Sequence, residues 1–185
     1  MLRAFDNVGF EVTGVDISPG VEEHCKPLKA YSLDILNSTL PFDNNSYDII
    51  FSKSVIEHID NPLPYLEKAL SLLKPGGKLI VLTPSWLHTG WGPFYLDHTH
   101  VTPFTGPSLK DDLQIAGFED IEVKHFRQLP FLWTLKWLIP FVFIFSKLPL
   151  PYSSMYLTKF KWPRIVNNFI RFSKEVMLLS YATKK

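Results

Sequence analysis

The stretch Phe10-Glu-Val-Thr-Gly-Val-Asp16 constrains the fold of this chain more than any other, because a short apolar strand ends there in an acid close behind Met1. In nucleotide-binding α/β folds a carboxylate at that strand end receives ribose hydroxyls, while a glycine-rich turn roughly twenty residues upstream cradles the rest of the ligand. The few residues before Phe10 leave no room for that turn. The expectation is a nucleoside-cofactor enzyme whose first strand and glycine loop are missing from these residues.

The rest of the first 123 residues alternates short apolar runs with helical stretches, the pattern of parallel βαβ units. Leu2 to Asn7 reads as the end of a helix with Gly9 as its left-handed cap. Glu11 to Asp16 is a strand. Pro19 to Lys29 reads as a helix capped by Ser18, with Pro19 at the first helical position. Strands follow at Ala30 to Asp34 and at Tyr47 to Ser52, the latter nearly all apolar, as a strand covered on both faces should be. A helix opens at Asn61-Pro62 and stops at Lys74-Pro75-Gly76-Gly77, before a strand over Lys78 to Thr83. Ser108 to Ala116 is read as a helix capped by Ser108 and ended by Gly117. Phe118 to Phe126 is a fifth strand, and Glu175 to Ala182 a last one.

At 185 residues and 46% hydrophobic the chain suits one packed domain. The single Cys25 excludes an intramolecular disulfide framework, fits a reducing compartment and is read as an ordinary buried thiol. The N-terminus carries no apolar run resembling a signal peptide, so a cytoplasmic location is expected. Charge divides sharply: residues 1–123 hold 17 of the 18 acids against 8 Lys+Arg, net −9, whereas residues 124–185 hold 11 Lys+Arg and only Glu175, net +10.

Ordered landmarks resemble one family. They are Val12-Thr-Gly-Val-Asp16-Ile-Ser18, Leu33-Asp34-Ile35, Leu40-Pro-Phe-Asp-Asn-Asn-Ser-Tyr-Asp48-Ile-Ile-Phe51, Val55-Ile-Glu-His58-Ile, Leu73-Lys-Pro-Gly-Gly-Lys-Leu-Ile-Val81, Thr83-Pro84, and Asp97-His-Thr-His-Val-Thr-Pro-Phe104 followed by Ala116-Gly-Phe118. Together they are similar to class I S-adenosylmethionine-dependent methyltransferases of the type 11, small-molecule and glycan-modifying branch. The resemblance implies a doubly wound, mostly parallel, Rossmann-like α/β sheet lacking its first strand, with a hydrophobic helical insertion before the last strand. The methyltransferase core would take residues 1–126 and 173–185, and the insertion 127–172. A dehydrogenase-like domain is disfavoured, because the Pro-Gly-Gly stop and the Asp34-Ile35 pair belong to the methyltransferase pattern.

By resemblance S-adenosyl-L-methionine is the cofactor. Asp16 would accept from the ribose hydroxyls, Asp34 from the adenine amino group, and the Ile35 N–H would donate to a ring nitrogen while Ile17 packs on the base. Ser52 would contribute backbone contacts near the methionine end. Structural alternatives stand beside these: Asp16 as a helix-capping acid, Asp34 as a loop acid. Lys53 departs from what suits a sulfonium, and His58 is read as structural. Acceptor deprotonation needs a base near neutral pH, for which His98 and His100 are the candidates. On an extended segment their i, i+2 spacing would place both rings on one side, where Asp97 could join them around a metal; a structural or substrate-contact role is the first reading, base chemistry the second, and no metal is assigned.

The acceptor is expected to be a small molecule, a glycan or a lipid-linked compound, methylated at O or N. Without the glycine loop, binding of the cofactor by these residues alone is expected to be poor. The alternative is a non-catalytic methyltransferase-like fragment acting through, or completed by, a partner chain. Between the fifth and last strands, Leu129 to Leu148 mixes Trp, Phe and Leu with Lys. Lys136, Pro140 and Lys147 break the apolar run well short of the about 20 residues that span a bilayer. With Lys159, Lys161, Arg164 and Arg171 behind it, residues 129–171 suit a peripheral membrane surface or a hydrophobic cap over the substrate pocket. Nucleic acid is the less favoured partner, since the run is denser in apolar groups than a stacking platform needs.

Overall fold

The computed structural model describes residues 1–90, 94–153 and 163–185, and divides into two compact units, Met1–Asp43 and Asn44–Lys185.

The first unit is one βαβ crossover behind a short helix: α1 (Leu2–Asp6), β1 (Thr13–Asp16), α2 (Val21–Cys25) and β2 (Lys29–Ser32). β1 and β2 pair in parallel from Thr13↔Lys29 to Asp16↔Ser32. Gly14 makes room for α1, since a Cβ there would lie 3.3 Å from Leu2 Cδ2. Gly9, at φ +92°, donates its N–H to Asp6 O and turns the chain out of α1, two residues beyond the Asn7 cap. α2 is shorter than Pro19–Lys29. Gly20, at φ +80°, takes the N-cap position expected for Ser18, whose N–H is instead held by Asp16 Oδ1 at 2.8 Å. Pro27 ends the helix, because the residue before a proline is driven out of the helical region and Lys26 sits at ψ 139°. Cys25, expected to be buried, is half-buried.

The second unit carries a four-stranded sheet in the order β3-β4-β6-β5. Its elements are β3 (Tyr47–Lys53), α3 (Leu63–Leu72), β4 (Leu73–Pro84), α4 (Trp86–Thr89), α5 (Gly106–Ile115), β5 (Glu119–Arg127), α6 (Phe131–Thr134), α7 (Ile139–Ser146), α8 (Arg164–Lys174) and β6 (Val176–Thr183). β3 and β4 run parallel, and β6 lies antiparallel between β4 and β5, with Ser180 opposite both Val81 and Val123. β4 starts at Leu73, directly out of α3, so Lys74-Pro75-Gly76-Gly77 is the irregular head of a strand as well as a helix stop. α3 buries Tyr65, Leu66, Ala69 and Leu72, and α5 buries Leu109 and Leu113, both at the helical spacing that lays one stripe on the sheet. The cap of α5 is Thr105, not Ser108. The two form a capping box, each side chain bonding the other's backbone N–H.

The insertion folds around a satellite core of Leu129, Leu132 and Val142, onto which Phe131, Leu138, Ile139, Phe169 and Phe172 pack. Its other side leaves Trp133, Trp137, Phe141, Ile144 and Ile165 exposed. Among the described residues no helix is long and apolar enough to cross a membrane. Lys159 and Lys161, part of the basic stretch noted in the sequence, lie outside the described residues.

Candidate functional site

At the carboxyl ends of β1 and β2 the backbone is held by polar side chains. The Asp16 carbonyl accepts from Leu33 N–H at 3.0 Å, tying the two strand exits together. Asp16 Oδ1 accepts from Ser18 N–H, and Oδ2 has no partner among the described residues. Ser32 Oγ donates to Ser18 O while Ser32 N–H donates to Glu22 Oε1, which pins the loop after β1 against the end of β2. Ile17, beside the acid, is 72% exposed, an apolar side chain with little packed on it. Asp34 accepts from Asn37 Nδ2 at 2.8 Å, Leu36 N–H at 2.9 Å and Asn37 N–H at 3.2 Å, and these bonds hold its carboxyl below the usual carboxylate range. Its first geometric role is therefore to close the turn over residues 34–37, which leaves the Ile35 N–H without a partner among the described residues.

In the second unit, Ser52 lies buried near the end of β3 and its hydroxyl accepts from Tyr65 OH at 2.7 Å. Its side chain is thus committed inside the core. Lys53 is exposed. Ser54 takes a left-handed φ of 54° as the chain leaves the strand, a conformation that a non-glycine residue adopts only under constraint; its N–H donates to Leu82 O at 2.9 Å.

Glu57, which sequence reasoning passed over, and His58 beside it organise the loops at the exits of β3 and β4. Glu57 is fully buried, its carboxylate accepting from Thr83 Oγ1 at 3.0 Å and its carbonyl from the N–H groups of Val101 and Thr102. Burial pushes its carboxyl up. It joins the exit of β3, the end of β4 and the loop after Asp97. His58 Nδ1 lies 2.9 Å from Thr99 Oγ1, and its ring centroid is 4.7 Å from that of His100. An acid amid apolar Val55, Ile56 and Ile59 was the available signal.

Residues 97–100 form a turn rather than the extended segment expected, because Asp97 Oδ1 accepts from both the N–H and the hydroxyl of Thr99. His98 and His100 therefore part company. His98 is exposed and makes no hydrogen bond or ion pair among the described residues, whereas His100 is half-buried with Nδ1 2.7 Å from Phe94 O. A carbonyl only accepts, so Nδ1 carries the hydrogen and Nε2 is left as the basic nitrogen. Burial lowers the His100 pKa, against the Phe94 carbonyl that raises it, and keeps the ring neutral near pH 7. Among the described residues the grouping within metal-ligand reach is Glu57, His58 and His100, one ligand atom from each lying within 4.8 Å of the others, and not Asp97, His98 and His100.

A parallel strand pair with an acid at the end of β1 and another two residues beyond β2, and a sheet in which an antiparallel strand lies between β4 and β5, are the parts of a Rossmann-like methyltransferase fold. Solved structures agree: a SAM-dependent methyltransferase from Archaeoglobus fulgidus superposes with TM-score 0.66 at 19% identity, covering 99% of this chain and 80% of that one. Phosphoethanolamine N-methyltransferase 2 of Haemonchus contortus, in complex with phosphomonomethylethanolamine and S-adenosylhomocysteine, superposes at 0.60 and 18% identity over 99% of this chain and 45% of that one. Residues 1–123 match the methyltransferase-domain family, and the chain belongs to it. Among curated relatives, the demethylmenaquinone methyltransferase of Tropheryma whipplei is 33% identical over 97 residues, 50% of this chain and 41% of that one. The chain thus spans about two fifths of the curated relatives it matches. S-adenosylmethionine is the cofactor of the family. The β1 and β2 exits fit it through three groups with capacity to spare: Asp16 Oδ2, the bare Ile17 side chain and the Ile35 N–H.

Proposed function

We propose that the chain serves transfer of a methyl group from S-adenosylmethionine to an oxygen or nitrogen atom of a small-molecule, glycan or lipid-linked acceptor. The observation that carries this reading is the Asp16–Ile17 corner, an acid with an unpaired oxygen next to an uncovered apolar side chain at the end of a parallel strand. The cofactor supplies a methyl carbon already activated by a sulfonium. The protein's part is position and exclusion of water. Asp16 accepts from the ribose hydroxyls, Ile17 lies on the base, and Asp34 and the Ile35 N–H address the adenine edge. His100, through Nε2, takes the proton of the acceptor, with exposed His98 as the second candidate.

These 185 residues contain no Gly-x-Gly-x-Gly turn, so the chain alone holds the cofactor weakly. Titration with S-adenosylhomocysteine followed by amide NMR is expected to move the signals of Asp16, Ile17, Asp34 and Ile35, and Asp16→Ala to abolish those shifts; perturbation confined to other residues overturns the assignment. Calorimetry showing micromolar affinity would refute the weak-binding half alone. Replacing His100 by Ala with turnover unchanged removes its role as base.

A second reading rests on the strand pairing. Among the described residues β1 pairs with β2 alone within the first unit and β3 with β4 alone within the second, and an open edge of that kind accepts a strand from another chain. In this form the chain is non-catalytic by itself and acts with a partner. Cofactor binding that appears only on co-expression with that partner supports it. The aromatic face of the insertion, with Lys136 and Lys147 beside it, supports a peripheral position at the cytoplasmic side of a membrane. Flotation with anionic liposomes is the test, and failure to float leaves the face as a cap over the acceptor.

A further inference from the structure

Residues 124–185 carry one acid, Glu175, and Arg171 already holds it at 2.7 Å. The other described ion pairs use Lys26, Lys74, Lys124 and Lys185. Arg127 is in none of them. It is half-buried at the end of β5, with its carbonyl fixed by Trp133 Nε1 at 2.8 Å, and burial presses on its charged form. A desolvated cation without a counter-charge is costly unless an anion completes it. Two residues back on the same face of the strand stands His125, whose ring centroid lies 4.7 Å from that of His88, itself anchored by Ser85 Oγ at 3.1 Å from Nδ1. The charges acting on His88 are those of His125, Arg127 and Lys147, all of one sign; with burial first, they bring it down to about 4. Three basic side chains thus converge, Lys147 at the end of α7 acts on His88 as a fourth, and among the described residues no carboxylate pairs with any of the three.

We propose that His88, His125 and Arg127 form an anion subsite for the phosphate or diphosphate group of an amphiphilic acceptor, whose apolar part lies along the exposed aromatic side chains of α6 and α7. Trp133 joins the two halves, since its indole N–H reaches the Arg127 carbonyl while its ring stays exposed. Arg127 offers a planar fork of donors suited to phosphate oxygens. The imidazoles, neutral when the site is empty, take up protons as the anion enters. The acceptor role rests on the methyl-transfer reading, whereas anion binding does not.

The test titrates the chain with inorganic pyrophosphate, farnesyl diphosphate and farnesol, reading heat and the imidazole NMR signals of His88 and His125. Pyrophosphate is expected to bind with a rise in both histidine pKa values, and farnesyl diphosphate to bind at least about tenfold tighter. Arg127→Gln should weaken both by about tenfold or more, Arg127→Lys by less, and exposed His125→Gln severalfold. Lys124→Gln, on the opposite face of β5, should change neither. Pyrophosphate binding unaltered in Arg127→Gln and His125→Gln, or no binding above that of chloride at equal ionic strength, overturns the subsite. Equal affinity for pyrophosphate and farnesyl diphosphate overturns the amphiphile and leaves a soluble phosphorylated compound. Shifts at Asp16 and Ile17 with S-adenosylhomocysteine, followed on the same samples, keep failure here distinct from failure of the cofactor assignment.

Discussion

The two units differ most in what they bury. No residue of Met1–Asp43 is buried, whereas Asn44–Lys185 encloses Ile56, Leu66, Leu73, Leu79, Leu109, Leu113 and Leu178 almost completely. The strand ends proposed for the cofactor therefore sit on the part with little packing of its own, and the well-packed sheet is in the second unit. Hydrogen bonds through Asp16, Asp34 and Glu22 set the shape of the first unit. Such bonds contribute about 0.5–1.5 kcal/mol each, much less than a filled core. Regions of this kind open at low free energy, and a ligand that orders them adds to their stability.

The widest expected contrast is between two truncations. Leu79→Ala, in the centre of β4, should cost about 2–5 kcal/mol in urea unfolding, and Val15→Ala, half-buried in β1, about 1 kcal/mol or less. Equal losses would erase the distinction. A smaller effect sharpens it from inside the packed unit: Thr105→Ala removes half of the capping box on α5 and should cost about 1 kcal/mol, with no change in hydrogen exchange at β1 and β2. The smallest is a dependence on pH. His88 has a pKa of about 4 in the folded chain against an unfolded value near 6.5, so the unfolded chain binds the extra proton between those limits. Stability supported by the neutral ring is present above about pH 6.5 and is lost as pH falls toward 4. His88→Gln should make the slope of stability against pH shallower across that window, with His125, Arg127 and Lys147 the charges facing the ring.

Much of the chain order was legible because it is local. Alternating apolar runs, the proline before α2 and the apolar stripes of α3 and α5 act within a dozen residues, and the strands other than β4, which starts five residues early at Leu73, fall close to their expected bounds. The misplaced caps are also local, but ambiguous: Thr105 and Ser108 are both good capping residues, and only the reciprocal bonding tells which is first. Glu57 was illegible for another reason. Its burial is imposed by a loop more than forty residues onward, whose Val101 and Thr102 close over it. The same loop brings His100 to His58, so the spacing of His98 and His100 misled where a contact distant in sequence decides. The Asp-x-Thr signal for the turn at 97–99 was present, and it defeats the extended reading.

The position of β6 sets a schedule for synthesis. β5 meets β4 only through Val176–Thr183, so the two earlier strands wait for about fifty further residues, most of the aromatic insertion among them, before the strand they share emerges. A nascent chain in that interval displays two naked strand edges and a run of bare tryptophan and phenylalanine to chaperones and proteases. Slowing the ribosome before codon 176 should thus lower the yield of folded protein.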